Sequence, residues 1–179
     1  MVSVPEIPVL VRKATPFDGE AVVRLRRALR EEDGGSVHGP NDPAPTLQEE
    51  ITRIGAQERD PGQLVLVAEI AGRVVGWLEL TPGASSRTSH RGWVVLAVAA
   101  DWRRRGIGRA LMESLHAWGT DHPSLEQVAL RCAVSNEPAV ALYRSLGYVE
   151  EGCFTRGLKL GPGRYVDLVQ LCRELKPGR

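Results

Sequence analysis

The spacing of hydrophobic positions changes along the chain, and each change marks an element. Val9 to Lys13 is short and β-branched and predicts a first strand. Ala21, Val22, Leu25, Ala28 and Leu29 recur at helical spacing, so a helix opening at Thr15 carries one apolar face. Pro16 suits its first turn, and Asp18 stands where a capping-box acid belongs. Leu47, Ile51 and Ile54 mark a second helix that starts at Thr46, with Glu49 completing its capping box. The pattern then turns to strands: Leu64 to Ile70, Arg73 to Leu80 after a turn at Gly72, and His90 to Ala99, the most apolar run in the chain. Gly106 opens a helix with Ile107, Ala110, Leu111, Leu115 and Trp118 on one face. Gln127 to Ala133 is another strand, and a short helix runs from Asn136 to a stop at Gly147. Tyr148 to Leu160 and Tyr165 to Leu171 pair around the turn GPGR. The order β, α, α, β, β, β, α, β, α, β, β predicts a single mixed α/β domain over 1–179, with a βαβ crossover after the central strand.

Between the first two helices, Glu32 to Pro45 (EDGGSVHGPNDPAP) is rich in Gly, Pro, Asn and Asp and reads as a loop. Composition narrows the function classes. Hydrophobic residues make up 42% and charged residues 25%, as in ordinary soluble proteins. Lys plus Arg number 23 against 22 Asp plus Glu, so no basic excess points to nucleic acid. Cys132, Cys153 and Cys172 form no C-x-x-C pair, so neither a zinc site nor a disulfide framework is indicated, and reduced thiols in a cytoplasmic protein are expected. The start MVSVPEIPVLVRK lacks a basic stretch before an apolar run, and no apolar stretch approaches the ~20 residues that cross a bilayer.

The chemically informative segment is Val98 to Leu111, VAADWRRRGIGRAL. A buried strand ends there and Arg103-x-x-Gly106-x-Gly108 opens a helix. Helix N-termini leave amide N–H groups unpaired and carry positive dipole character, glycines let a bulky anion approach the backbone, and arginines add charge. Those features predict a phosphate site. It is neither the G-x-G-x-x-G turn of dinucleotide-binding proteins nor a P-loop, since neither pattern occurs in the chain.

Arg103, Gly106 and Gly108, followed by NEPAVALYRSLGY from Asn136 to Tyr148, resemble two motifs of the GCN5-related N-acetyltransferase (GNAT) family. The order of elements is similar to that family from about Val9 to Leu175. The resemblance implies a mixed, mostly antiparallel sheet of six to seven strands flanked by about four helices, with a splayed central pair. It implies acetyl-CoA as cosubstrate, no metal, and direct acetyl transfer to a primary amine of a small molecule, amino acid or peptide N-terminus. A ribosomal or other protein acceptor, and a catalytically silent CoA-binding module, are the alternatives. The pyrophosphate site would comprise Arg103, Arg104, Arg105, Gly106, Ile107, Gly108 and Arg109. The pantetheine arm would pair with the backbone of Leu96, Ala97 and Val98, and Asn136 would contact it or simply cap its helix. Tyr143 matches the tyrosine that protonates the departing thiolate. A homodimer through the C-terminal strands is a further implication.

One departure matters. Many family members carry a glutamate on the central strand as general base, and Gly92 to Ala100 contains no acid. Glu79, on the preceding strand, shares a face with Trp77 by alternation and is the leading replacement. His90, Glu69 and a water chain are the others. The arginines Arg24, Arg26, Arg27 and Arg30 read as a solvated helix face. Acceptor choice is assigned to the loops Glu32 to Pro45 and Thr81 to Thr88 and to the turn Gly161 to Arg164. Glu31, Glu32, Asp33 and Asp42 are acids that would attract a cationic amine.

Overall fold

A computed structural model describes residues 8–32, 37–60 and 62–176 of the chain. Among these, the strands are β1 (Leu10–Lys13), β2 (Leu64–Ile70), β3 (Arg73–Pro82), β4 (Arg91–Val98), β5 (Gln127–Ala133), β6 (Val149–Gly161) and β7 (Arg164–Glu174). They form one sheet in the order β1-β2-β3-β4-β5-β7-β6, antiparallel except where β4 meets β5. The helices are α1 (Gly19–Glu31), α2 (Leu47–Ala56), α3 (Ile107–Asp121) and α4 (Glu137–Ser145). The expected mixed, mostly antiparallel fold is thus found.

Strand alternation sorts the side chains of β2, β3 and β4 between two cores. Leu64, Leu66, Leu78, Leu80 and Val94 pack with Ile107, Leu111, Met112 and Leu115 of α3 on one face. Val65, Val67, Trp77 and Ala97 pack with Val22, Leu25 and Ile54 of α1 and α2 on the other. Gly19 lets α1 and α2 approach closely: a Cβ there would lie 2.9 Å from Ile51 Cγ1.

The capping signals behave as expected at Thr46, whose Oγ1 accepts from Glu49 N–H at 3.2 Å while Glu49 Oε2 accepts from Thr46 N–H at 2.7 Å. The first helix differs from expectation. Pro16–Asp18 form a separate 3-10 turn, and α1 proper begins at Gly19. Asp18 is pinned there because its carboxylate accepts from Thr15 N–H at 2.7 Å and from both terminal nitrogens of Arg12 at 2.8 Å.

The feature that creates a site is a short pairing. β4 and β5 are in register only at Arg91↔Gln127, Gly92↔Val128 and Trp93↔Ala129. Beyond Trp93, β4 continues along β3 to Val98 and β5 continues along β7 to Ala133. The two strands part, and residues 94–98 of β4 have no strand on that side. This is the splayed central pair.

Candidate active site

A cavity of about 840 Å³ fills the gap between the parted strands and opens to both faces of the sheet. Its two chambers differ in chemistry.

The first lies on the α3 and α4 side. It is bounded by Leu96 and Val98 of β4, Cys132 of β5, the start of α3, and Asn136, Leu142 and Tyr143 around α4. Gly106 is the N-cap of α3 and has φ +79°, in the left-handed region that favours glycine. Its missing side chain leaves open space, since a Cβ there would meet nothing within 4 Å. The first helical bond is Ala110 N–H to Gly106 C=O at 2.9 Å, so the amides of Ile107, Gly108 and Arg109 point out of the helix end. No side chain caps this end, and its first turn holds no acid. It is a bare positive helix terminus facing a cavity, the arrangement that suits a phosphate group.

The predicted arginines divide. Arg103, Arg104 and Arg109 line the cavity, but two are already engaged. Arg103 Nε donates to Val98 C=O at 2.9 Å and its Nη2 pairs with Glu32. Arg109 Nη2 donates to Ser145 Oγ at 2.6 Å. Arg105 is absent from the cavity wall: its guanidinium lies 4.9 Å over the Trp102 ring and donates to Asp101 C=O. Asn136 lines the cavity and also caps α4, its Oδ1 accepting from Ala139 N–H at 3.3 Å.

Tyr143 is 7% exposed, and among the described residues its hydroxyl has no hydrogen-bond partner. Burial, and then the neighbouring Cys132, hold that phenol above its ordinary range, so it keeps its proton at neutral pH. Burial likewise pushes the Cys132 thiol up to about 11, which leaves it a poor nucleophile. Tyr148 meets Tyr143 edge-on at 5.8 Å between ring centroids. Behind it, Arg173 Nη1 donates to His116 Nδ1 at 2.8 Å, so the imidazole proton sits on Nε2 and is donated to Tyr148 Oη at 2.9 Å. Arg173 also donates to Leu146 C=O at 2.7 Å, closing the end of α4. Desolvation, then Arg173, lower the His116 pKa to about 4, so the imidazole is neutral.

The second chamber lies on the α1 and α2 side. Trp77, Glu79 and Thr81 of β3 stand opposite Ala97, Val95 and Trp93 of β4, and all six border the cavity. Glu79 therefore does reach the site, as alternation requires. It arrives with partners the sequence did not reveal. Arg26 Nη2 donates to Glu79 Oε2 at 2.7 Å, and Arg53 Nη1 stands 3.9 Å from the same oxygen. Arg26 also grips Glu50, which is 0% exposed, through Nε and Nη2 at 3.1 and 3.2 Å, and lies 4.2 Å over the Trp77 ring.

The solvated-face reading of the α1 arginines thus holds for Arg24 and Arg27, which are exposed, and fails for Arg26 and Arg30, which line the cavity. The only advance signal was position: 26 and 30 are four apart and flank the apolar stripe. His90 is not at the site; it sits at the paired end of β4, where its C=O accepts from Glu126 and Gln127 N–H. Glu69 pairs with Arg12 at 2.8 Å, away from the cavity. Of the three acceptor segments, the first loop supplies Glu32, Val37 and His38 to the wall and the second only Thr81. The tip of the last hairpin is absent from the wall, which takes Leu158 and Leu168 from mid-strand instead. Among the acids, Glu32 is spent on Arg103, Glu31 is exposed outside the cavity, Asp42 accepts from Gly39 N–H, and Asp33 lies outside the described residues. Among the described residues no three His, Cys, Asp or Glu side chains gather as a metal site, and no helix is long and apolar enough to cross a membrane.

Residues 24–148 match the family model described as Acetyltransferase (GNAT) family. An L-amino acid N-acetyltransferase of Escherichia coli K12 is 32% identical over 113 residues, 63% of this chain and 69% of that protein. An N-alpha-acetyltransferase of Sulfurisphaera tokodaii is 37% identical over 92 residues, 47% of this chain and 55% of that protein. The crystal structure of a GNAT-family acetyltransferase from Streptococcus pneumoniae superposes with a TM-score of 0.86 at 25% identity, covering 93% of this chain and 99% of that one. The parted strands, the bare helix terminus and these likenesses agree, and the chain belongs to the GNAT family of acetyltransferases.

Proposed function

We propose that this chain transfers the acetyl group of acetyl-CoA directly to a primary amine, with the donor in the α3 and α4 chamber and the acceptor in the α1 and α2 chamber. The observation that carries the reading is that one cavity joins an uncapped helix terminus to a protonated phenol and a carboxylate across the gap between β4 and β5. Acetyl-CoA supplies an activated thioester. The amides of residues 107–109, with Arg104 and Arg109, hold its pyrophosphate. The free β4 edge at Leu96, Ala97 and Val98 orients the arm toward the gap, with the Val98 carbonyl already taken by Arg103. Glu79 accepts the proton that the amine nitrogen sheds as it bonds to the acetyl carbon. The Tyr143 hydroxyl gives a proton to sulfur as the carbon–sulfur bond breaks, which suits a phenol kept neutral until a strong base forms beside it. No acyl-cysteine is needed, and the un-ionised Cys132 thiol is consistent with that. The relatives named for L-amino acids and for N-alpha positions both fit an α-amine as acceptor.

The test is thiol release from acetyl-CoA across amino acids, polyamines, aminoglycosides and short peptides with free N-termini. The expected result is turnover of at least one class by the wild type. Tyr143→Phe is expected to lose about 10²- to 10⁴-fold in kcat with calorimetric CoA affinity unchanged. Absence of thiol release with every amine, from a protein that binds CoA, would leave a binding module and overturn the reading.

A further inference from the structure

The acceptor chamber carries an imbalance of charge that acetyl transfer alone does not require. Its wall bears Arg26, Arg30, Arg53 and Arg131, against Glu79 at the wall and Glu50 behind Arg26, while the Glu32 carboxylate at the wall is offset by Arg103. Arg26 is saturated by those two carboxylates and by the Trp77 ring. Arg30 is 9% exposed and donates to the carbonyls of Asp42 and Pro43; among the described residues it meets no carboxylate. Arg131 donates to Gln170 Oε1 and stacks between Trp93 and Phe154, again without an acid. Such a chamber repels a polycation and favours an acceptor that brings a negative charge of its own.

Arg53 and Glu79 give that charge a place. Arg53 Nη1 stands 3.9 Å from Glu79 Oε2, too far for a hydrogen bond, and Arg53 donates to no described residue. Its donor fork is therefore open to the cavity. Glu79 Oε2 is held by Arg26, whereas Oε1 accepts from no described residue. A guanidinium and a carboxylate side by side are the complement of an amine and a carboxylate separated by a single carbon.

Building on the acetyl-transfer reading above, we infer that the acceptor is a free α-amino acid, with Arg53 receiving its carboxylate in a bidentate pair and Glu79 Oε1 receiving its amine. A peptide N-terminus or an amino acid amide offers only a neutral carbonyl at that place and loses the charge-assisted pair. Hydrogen bonds to charged groups are worth enough to give a preference of about tenfold or more in kcat/KM.

The experiment compares each common L-amino acid with its carboxamide, and with spermidine, in the thiol-release assay, using the wild type, Arg53→Met and Arg53→Lys. Arg53 is partly exposed, so these variants are expected to fold, and circular dichroism melts check that. The expected result is a preference for the acid over the amide in the wild type and loss of that preference in Arg53→Met. That loss should come through a raised KM for the acid with little change for the amide. Arg53→Lys should restore part of the preference, since it keeps the charge without the fork. Equal use of acid and amide by the wild type, or equal loss of both in Arg53→Met, overturns the inference while acetyl transfer stands. If no amine is acetylated, titration calorimetry of L-amino acids into the CoA-loaded protein decides it. Binding that Arg53→Met abolishes supports the carboxylate site, and no binding overturns it.

Discussion

Removing Arg26 should cost more stability than any other single charged-residue change near the cavity, and the reason is Glu50. Glu50 is fully buried, and its carboxylate is held by Arg26 through both oxygens at 3.1 and 3.2 Å. Arg26→Met retains most of the aliphatic stem and deletes the charge, so a carboxylate is left without a partner in the core between α1, α2 and β3. Orphaning one member of a buried ion pair costs about 3–5 kcal/mol. The lost stacking over Trp77 adds about 0.5–2 kcal/mol. Domains of this kind are held by roughly 5–15 kcal/mol, so the single variant gives up about a quarter or more of that. The double variant Arg26→Met, Glu50→Leu removes the orphan together with its partner. Replacing both members of a buried pair by apolar groups is often near neutral, so the double variant should recover at least about 2 kcal/mol over the single. Urea unfolding followed by tryptophan fluorescence measures both, with equal m-values as the check that the transitions compare. Activity separates the two roles of Arg26: the double variant should regain stability and still turn over poorly, because Glu79 has lost its 2.7 Å anchor. An Arg26→Met protein within about 1 kcal/mol of wild type, or a double variant no more stable than the single, would refute the assignment of Glu50 as a charge that only Arg26 makes tolerable.

Three further outcomes follow from the geometry. His116 has a folded pKa of about 4 against 6.5 when unfolded, so the unfolded chain binds the extra proton and stability falls as pH drops through that window. At about 1.4 kcal/mol per pKa unit the loss reaches up to about 3 kcal/mol, and a His116→Gln protein, compared by urea titrations at pH 7 and pH 4.5, should lack most of it. Gly106→Ala places a Cβ in open space at φ +79°, so its cost is conformational alone, about 1–2 kcal/mol, and Gly106→Asn should be milder; matched urea curves for the two variants test this. Cys153 is exposed whereas Cys132 and Cys172 are buried, so Ellman's reagent should titrate one thiol quickly in the native protein and the other two only after unfolding.

Much of the fold is legible in the sequence because its elements are declared locally. The strands Leu64–Ile70 and Gln127–Ala133 begin and end where alternation and turn residues put them. Thr46 with Glu49, and Asn136, mark helix starts by chemistry confined to one turn. The bare terminus at Gly106 is equally local, since a strand, a left-handed glycine and an uncapped first turn are all contiguous in the chain. The side chain of Arg105 shows the limit of that locality. A motif fixes the backbone path, and a neighbouring Trp102 ring then decides where the guanidinium rests.

The sequence by itself determined the order of elements, the faces of the strands, the glycine-opened start of α3 and the family. Only the tertiary structure decided which charges are buried and which of them border the cavity. Arg26 reads as solvated along α1, and nothing in the sequence singles out Glu50, which lies in the first turn of α2. They are buried together because their partners lie 24 and 53 residues away, at Glu50 and Glu79 for Arg26. Likewise, nothing local to β4 or β5 announces that they pair over three residues and then part. The parting follows from each strand keeping faith with its other neighbour, β3 or β7. Hydrophobic period records which side of an element faces inward; whether a charged side chain is tolerated there depends on opposite charges that arrive from distant parts of the chain.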